Sequence, residues 1–428
     1  MLATIRNAWR TDEIRKKLLF MAFIVLLYRL GNAVTVPYVN PDIMKSYFSS
    51  LNNTILGLMN TMSGSALERA SIFAMSIQPY INASIIIQLL TIAIPALERM
   101  QKEGGEEGKK KLDKITRYST IAISLLQAYG FYILMQSNGM LSLDAAGIWP
   151  PVLIIVSFMT GSALLMWMGE QITEFGIGNG ISIILFVGII SRFPTQVGQL
   201  IRDVITTPAN WWIYLLILIG ALAIIVLIVI VTNSERRIPV QYSKRVVGRK
   251  MYGGQSTHLP MKVNMSGVLP IIFAQSIASI PATIATFVPR WSDGWFIKLF
   301  DTSNVMYAVI YFLLIVFFSY FYSTIQFNPI EIANNLKKNG GFIPGFRAGK
   351  PTSEFIQKVL TKITLFGAVY LAIIAITPIV ISLFSETAAN SGISLGGTSI
   401  IIAVSVALET IKQLEAQLLM RHYKGFLE

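Results

Sequence analysis

The sequence predicts an all-α polytopic membrane protein of ten transmembrane helices, arranged as two five-helix halves of inverted orientation. Composition is the first observation behind this. Of 428 residues, 54% are apolar and only 13% are charged, about half the charge of an average soluble protein, and mean hydropathy is +0.60. The second is a series of ten apolar runs, each near the length a bilayer-spanning helix needs. The third is the placement of cations. The balance of 35 Lys and Arg against 22 Asp and Glu leaves +13, and the surplus is concentrated in alternate loops.

The first run, near Leu18–Val36, follows Arg15-Lys16-Lys17 and superficially resembles a secretory signal. It is too long, contains Arg29 and lacks a small-x-small cleavage site, so it reads as an uncleaved span. The next four runs lie near Ser71–Ile94, Tyr118–Gln136, Pro151–Trp167 and Gly178–Ile190. The second five lie near Trp212–Val231, Val268–Phe287, Val305–Phe327, Ile363–Phe384 and Ser399–Leu419. Such continuous runs exclude the alternation of a membrane β-barrel. Segments 1–17, 97–117, 233–266, 328–362 and 410–428 hold 28 of the 35 cations, and all fall on one side of a ten-span chain. By the positive-inside rule that side is cytoplasmic, and both termini lie there.

Five is odd, so residues 1–190 and 191–428 would form halves of opposite orientation. Inverted repeats put a transport path at their interface, often beside interrupted helices at matching positions. Pro79 in the second span, with Pro270 and Pro281 in the seventh, fits that pattern, although prolines also occur in membrane helices as simple kinks.

Several chemistries are excluded. There is no cysteine, and His258 and His422 are the only histidines, so disulfides, thiolate zinc, iron–sulfur clusters and multi-His metal sites within one chain are ruled out. The Gly-rich stretch 104–108 ahead of Lys109-Lys110-Lys111 lacks the spacing of a phosphate loop, and Gly176–Gly180 follows no predicted strand. Ion-coupled carriers usually place ionisable groups inside the bilayer, whereas these spans hold little beyond Arg29 and Glu409. No cofactor and no enzymatic activity are expected, and any energy must come from a partner.

Residues 63–95, SGSALERASIFAMSIQPYINASIIIQLLTIAIP, closely resemble the second-span signature of the SecY family of protein-translocation channels. GEQITEFGIGNGISIILF at 169–186, GGQSTHLPMKVNMSGVLPIIFAQS at 253–276, NNLKKNGGFIPGFRAGKPT at 334–352 and GGTSIIIAV at 396–404 extend the resemblance in family order. It implies two halves closing as a clam-shell around an hourglass pore that passes unfolded polypeptide and opens sideways to release helices into lipid. Implied partners are SecE, SecG, the SecA ATPase, the ribosome and signal-bearing preproteins, with anionic lipid attracted by the basic loops. Alternatives are an accessory channel paralogue dedicated to few substrates, or a small-solute secondary transporter.

Residue roles follow from the resemblance. The pore ring aligns with Ile77, Ile81, Ile181, Leu185, Ile272 and Ile402; a narrow aliphatic constriction dewets and blocks ions. The segment near 54–69 is too short and polar to span and corresponds to the plug, including Asn60, Met62, Ser63, Gly64 and Ser65, with Ser65 where paired glycines are common. The lateral gate is expected between the second and seventh spans, with Gln88, Asn179, Gln275 and Ser276 as its polar residues. Gln78, Asn82 and Ser279 are weaker candidates. Arg347 matches the arginine tied to SecA function, and Arg236, Arg237, Arg249 and Lys250 fall in a loop that docks SecA and ribosomal RNA.

Overall fold

In a computed structural model of the chain, the described residues are 2–50, 55–142, 147–206, 211–242, 245–247, 250–252, 256–287, 294–300, 304–384 and 396–424. Arg249 lies outside them, as does the side chain of Lys250.

Each of the ten apolar runs contains a helix. In the first half these are α2 (Asp12–Gly31), α5 (Gln78–Ala93), α7 (Gly105–Ser137), α8 (Trp149–Phe175) and α9 (Gly180–Thr206). In the second they are α10 (Trp211–Asn233), α11 (Leu269–Phe287), α13 (Val305–Gln326), α15 (Lys350–Phe384) and α16 (Gly396–Lys424). Shorter helices are α1 (Leu2–Arg10), α3 (Pro41–Ser50), α4 (Ile55–Met62), α6 (Pro95–Lys102), α12 (Trp295–Leu299) and α14 (Pro329–Lys338). Five helical stretches among the described residues are long and apolar enough to cross a bilayer alone: those at 105–137, 149–175, 180–206, 305–338 and 350–381. A sixth is the pair α5–α6, bent by 100°. The bend falls at Pro95, whose ring forces Ile94 into an extended conformation, φ −108° and ψ 110°.

Several helices start or end away from the sequence-based bounds, those of the third, fourth and ninth spans by extending beyond them. The second and fifth spans show two kinds of departure. Residues 71–77 are turns rather than helix, and the second span starts as a helix only at Gln78. Pro79 therefore opens α5 instead of kinking it, since the first helical turn needs no proline N–H. Pro270 occupies the same second position of α11, while Pro281 lies inside that helix. The fifth span is longer than expected, because α9 continues past Ile190 to Thr206 despite Pro194.

The helices surround one central apolar cluster that includes Ile77, Ile81, Ile85, Leu185, Ile272 and Ile402. Outward faces are equally apolar: Phe23 and Leu30 on α2, Leu216 and Val226 on α10 and Phe317 on α13 are all more than half exposed. Apolar on both faces is the pattern of helices whose outer solvent is lipid. Glycines permit the closest approaches: a Cβ at Gly161 would collide with the Ile72 carbonyl, and one at Gly180 with that of Gly169.

The basic segments 233–266 and 328–362, expected as separate loops, fold together. Strands β1 (Glu235–Tyr242) and β4 (Ser256–Lys262) pair antiparallel from Glu235↔Lys262 to Gln241↔Ser256. The short β5 (Gly341–Phe342) adds to the other edge of β1, giving the order β4-β1-β5. Between them β2 (Arg245–Val247) and β3 (Lys250–Tyr252) form a separate hairpin. Alternation along β1 turns Ile238 and Val240 inward, onto Met261, Leu336, Ile343, Ile356 and Leu360. The fold is thus helical throughout the bilayer region, with a small β-module on its basic side.

Candidate functional site

The site is built around α4. This eight-residue helix is too short to span, and the chain returns from it through a run of tight turns. Gly64 has φ +70°, and the next residue, Ser65, has φ +67°. Left-handed backbone costs an L-residue about 1–2 kcal/mol, so Ser65 carries strain where a glycine would not. Its N–H is repaid by donating to the Asn60 carbonyl at 2.9 Å.

Polar contacts hold this segment to the first half. Tyr28 Oη donates to the Ser63 carbonyl at 3.1 Å, and Asn32 Nδ2 donates to the same oxygen at 3.5 Å. Asn60 Nδ2 donates to Glu68 Oε2 at 2.8 Å, while the Glu68 N–H donates back to Asn60 Oδ1 at 3.1 Å. Arg192 on α9 donates from Nη1 to Thr61 Oγ1 at 2.9 Å, and its Nη2 lies 3.7 Å from Glu68 Oε2. Backbone also approaches backbone, since a Cβ at Gly188 would collide with the Met62 carbonyl.

Met62 is 2% exposed and forms the inner end of α4. Gln275 Nε2 donates to its sulfur at 3.0 Å and Gln78 Nε2 at 3.8 Å. Both amides are 4% exposed, and their Oε1 atoms meet no donor among the described residues. A thioether is a weak acceptor, so the two glutamines are held loosely. One comes from α5 and the other from α11, so α4 touches both helices where they meet.

Of the six aliphatic residues aligned with a pore ring, five are at most 4% exposed, and Ile181 is half-buried against the same cluster. Two of them meet at Gly169, where a Cβ would lie 3.2 Å from Ile181 Cγ1 and 3.5 Å from Ile77 Cδ1. The plug residues Asn60, Met62, Ser63, Gly64 and Ser65 are all buried.

The gate residues are only partly brought together. Gln275 reaches the plug, and Ser276 is buried beside it on α11. Gln88 turns back to Ser84 Oγ on its own helix at 3.4 Å. Asn179 is exposed, and its Oδ1 accepts from the N–H groups of Ile181 and Ser182 at 3.1 and 3.3 Å. That is an N-cap on α9, the use to which a side-chain amide before a helix is best suited. Gln78, by contrast, takes the central place that its sequence environment gave little reason to expect. Arg192 and Glu68 were missed as partners because 124 residues separate them and neither sits in a recognisable motif.

On the basic side, Arg236 and Arg237 lie exposed on β1, where Arg237 pairs with Glu235 at 2.7 Å. Arg347 is exposed in the turn ahead of α15, with its carbonyl accepting from Thr352 Oγ1 at 2.7 Å. Asn179, Asn264, Glu409 and Lys412 line a polar cavity of about 340 Å³ beside the end of β4.

A short re-entrant helix seated in a central aliphatic cluster, inside a bundle of lipid-facing helices, defines a plugged membrane channel. The comparisons carry the assignment further. The SecY family profile matches residues 71–411. The protein translocase subunits SecY of Mycobacterium tuberculosis and Streptomyces scabiei are 44% and 42% identical, each over the full length of both chains. Among solved structures, a protein-conducting channel aligns over 94% of this chain and 92% of its own, with TM-score 0.67 and 17% identity. A SecY whose plug domain stabilises the closed channel gives 0.66 and 16% over the same shares. The chain belongs to the SecY family of protein translocase subunits.

Proposed function

We propose that the chain is the polypeptide-conducting subunit of the general translocase of a bacterial cytoplasmic membrane, passing unfolded secretory proteins outward and releasing apolar helices sideways into lipid. Residues 1–190 and 191–428 act as its two halves, with both termini cytoplasmic. The observation that carries this reading is that Met59 and Met62 of the short helix α4 share one central apolar cluster with Ile77, Ile81, Leu185, Ile272 and Ile402, which supports a stopper on an aliphatic ring. Such a ring excludes hydrated ions without binding a passing chain, and it needs no covalent chemistry, so the subunit is not an enzyme. Gln78 and Gln275 on α5 and α11 support a lateral gate between these helices. Each amide contact contributes about 1 kcal/mol or less, small enough for an entering signal sequence to displace.

The basic module is the docking face for the SecA ATPase and the ribosome, with SecE and SecG completing the membrane complex and anionic lipid facing the basic loops. Arg236, Arg237 and Arg347 are exposed there, and Arg249 and Lys250 belong to the same segment. Two measurements test these assignments. In liposomes holding this chain, SecE and SecA, a signal-bearing preprotein becomes protected from protease only when ATP is present; protection without ATP, or none in an assembled complex, overturns the general-translocase reading. Arg347→Glu should lower that protection at least tenfold while the complex still assembles. Unchanged protection removes Arg347 from the docking face.

A further inference from the structure

We propose that Arg192 is a positioning residue that latches the plug: its guanidinium, joined to Thr61 and Glu68, fixes α4 against α9 and sets how tightly the resting channel seals. The inference rests on the channel reading above and concerns residues outside both the aliphatic ring and the gate.

The geometry is that of a clasp with two jaws. One jaw is the end of α4, where Thr61 Oγ1 accepts from Arg192 Nη1 at 2.9 Å. The other is the return strand of the plug, where Glu68 lies 3.7 Å from Nη2. Asn60 ties the jaws together by donating to Glu68 Oε2 and accepting from the Glu68 N–H. A single guanidinium can do this because its donors are spread in a planar fork; a lysine ammonium is a point charge with shorter reach to two partners. Glu68 is the only acidic residue between positions 43 and 97, so the plug has no other carboxylate to offer. Arg29 reaches the same corner, with Nη1 3.3 Å from where a Cβ on Gly64 would sit, so loss of Glu68 would leave cations facing each other there.

The clasp is placed to hold and also to let go. The side chains of Arg192 and Glu68 are 18% and 21% exposed. Water therefore competes for the pair, which keeps its strength below that of a fully buried one. Backbone packing on Gly188 and the apolar burial of Met59 and Met62 also hold α4. The described hydrogen bonds that tie α4 and its return to other elements include the Tyr28 and Asn32 bonds to one carbonyl and the loose thioether contacts of Met62. Among these the clasp is the only one that bears charge, and it is the only one whose two ends lie on the plug and on α9. Releasing it frees the C-terminal end of α4 from α9 while leaving every residue of the aliphatic ring unchanged.

The test is the ion conductance of the purified complex of this chain with SecE in planar bilayers, with no preprotein present. Arg192→Glu should raise the resting conductance at least fivefold, Glu68→Gln should raise it by a smaller factor, and Arg192→Lys should fall between parent and Glu68→Gln. The exchange Arg192→Glu with Glu68→Arg should bring the conductance back to within twofold of the parent. A parent-like seal in both Arg192→Glu and Glu68→Gln overturns the proposal, as does an exchange variant that leaks as much as Arg192→Glu. If Arg192→Glu fails to assemble, Glu68→Gln, which removes charge at constant shape, decides alone. Preprotein protection, measured with the same variants in liposomes that also hold SecA and ATP, separates the two readings. A leak that responds to the clasp while no variant, nor the parent, transports a preprotein counts against the translocase assignment and not against the latch.

Discussion

Around the plug, buried amides and a thioether sit amid aliphatic side chains, whereas under the three-stranded sheet apolar side chains from β1, β4, α14 and α15 close on one another. Gln78, Gln275 and Ser276 are each at most 4% exposed, and each keeps a polar atom with no partner among the described residues. An unsatisfied buried polar atom costs about 1–3 kcal/mol. Ile238, Val240, Met261 and Ile356 have no such liability, and each fully buried side chain of that size contributes about 1.5–3 kcal/mol. The plug region thus combines apolar burial of Met59, Met62 and Leu67 with directional, individually weak contacts and unpaired polar atoms, whereas the module is held mainly by apolar area. A part that must leave its seat in every opening cycle suits the first construction. A part that must present a fixed face to a partner suits the second.

The sharpest way to break this contrast is to spoil the plug seat without substituting a polar residue. Gly188 lies under α4, where any Cβ would collide with the Met62 carbonyl and approach Tyr28 Oη to 3.3 Å. Overpacking of this kind costs about 1–3 kcal/mol or more. Gly188→Leu should therefore unseat α4 and raise resting conductance at least tenfold, while limited proteolysis of the basic module proceeds as in the parent. Parent-like conductance would mean that α4 is not the seal.

The converse variant is Ile356→Ala. Ile356 is a fully buried residue of α15 in the cluster under the sheet, and truncation of such a residue costs about 2–5 kcal/mol. Cleavage within 233–266 or 328–362 should become faster by at least tenfold, with resting conductance unchanged. If the leak rises instead, the two clusters are coupled and the division drawn above fails.

The two regions were also unequally legible. Ten helices could be placed from hydropathy because lipid imposes a length and a composition on each one. The plug could be delimited because its mixture of Leu58, Met59 and Asn60 with Ser63 and Gly64 is too polar and too short to span. What holds it could not be read, because Glu68 and Arg192 lie on different elements and ion pairs leave no local pattern. The left-handed Ser65, Ala70 and Ser76 were equally hidden, since non-glycine residues seldom adopt that conformation. The sheet was missed for another reason. Strand β1 is basic and contains Pro239, and its partner β5 lies about 100 residues further on, so charge dominated the reading of both segments and concealed the inward Ile238 and Val240. Asn179 was given to the gate on resemblance alone, and the cap it makes on α9 was legible from the local rule that favours Asn ahead of a helix.

The smallest expected effect falls where the two regions join. Phe327 and Asn328 are extended between α13, the eighth span, and α14, which belongs to the module. Asn328 Oδ1 accepts from the N–H groups of Ile330 and Glu331 at 3.1 and 3.4 Å, and Pro329 occupies the first helical position. A cap thus helps to fix the corner, beside the packing of Phe327 and Ile332, and removing a cap costs about 1 kcal/mol. Asn328→Ala should speed amide hydrogen exchange in 329–338 by about fivefold, the equivalent of that energy, and leave the plug segment and the conductance unaltered. Asn304 caps the other end of the same span, accepting from the Met306 N–H at 3.1 Å, and provides the control. If Asn304→Ala accelerates exchange in 329–338 as much as Asn328→Ala does, strain passes along α13 as a rigid rod and the module is not independent of the bundle. If the effect of each variant stays at its own end, the plug can move within the membrane while the docking face above it keeps its shape.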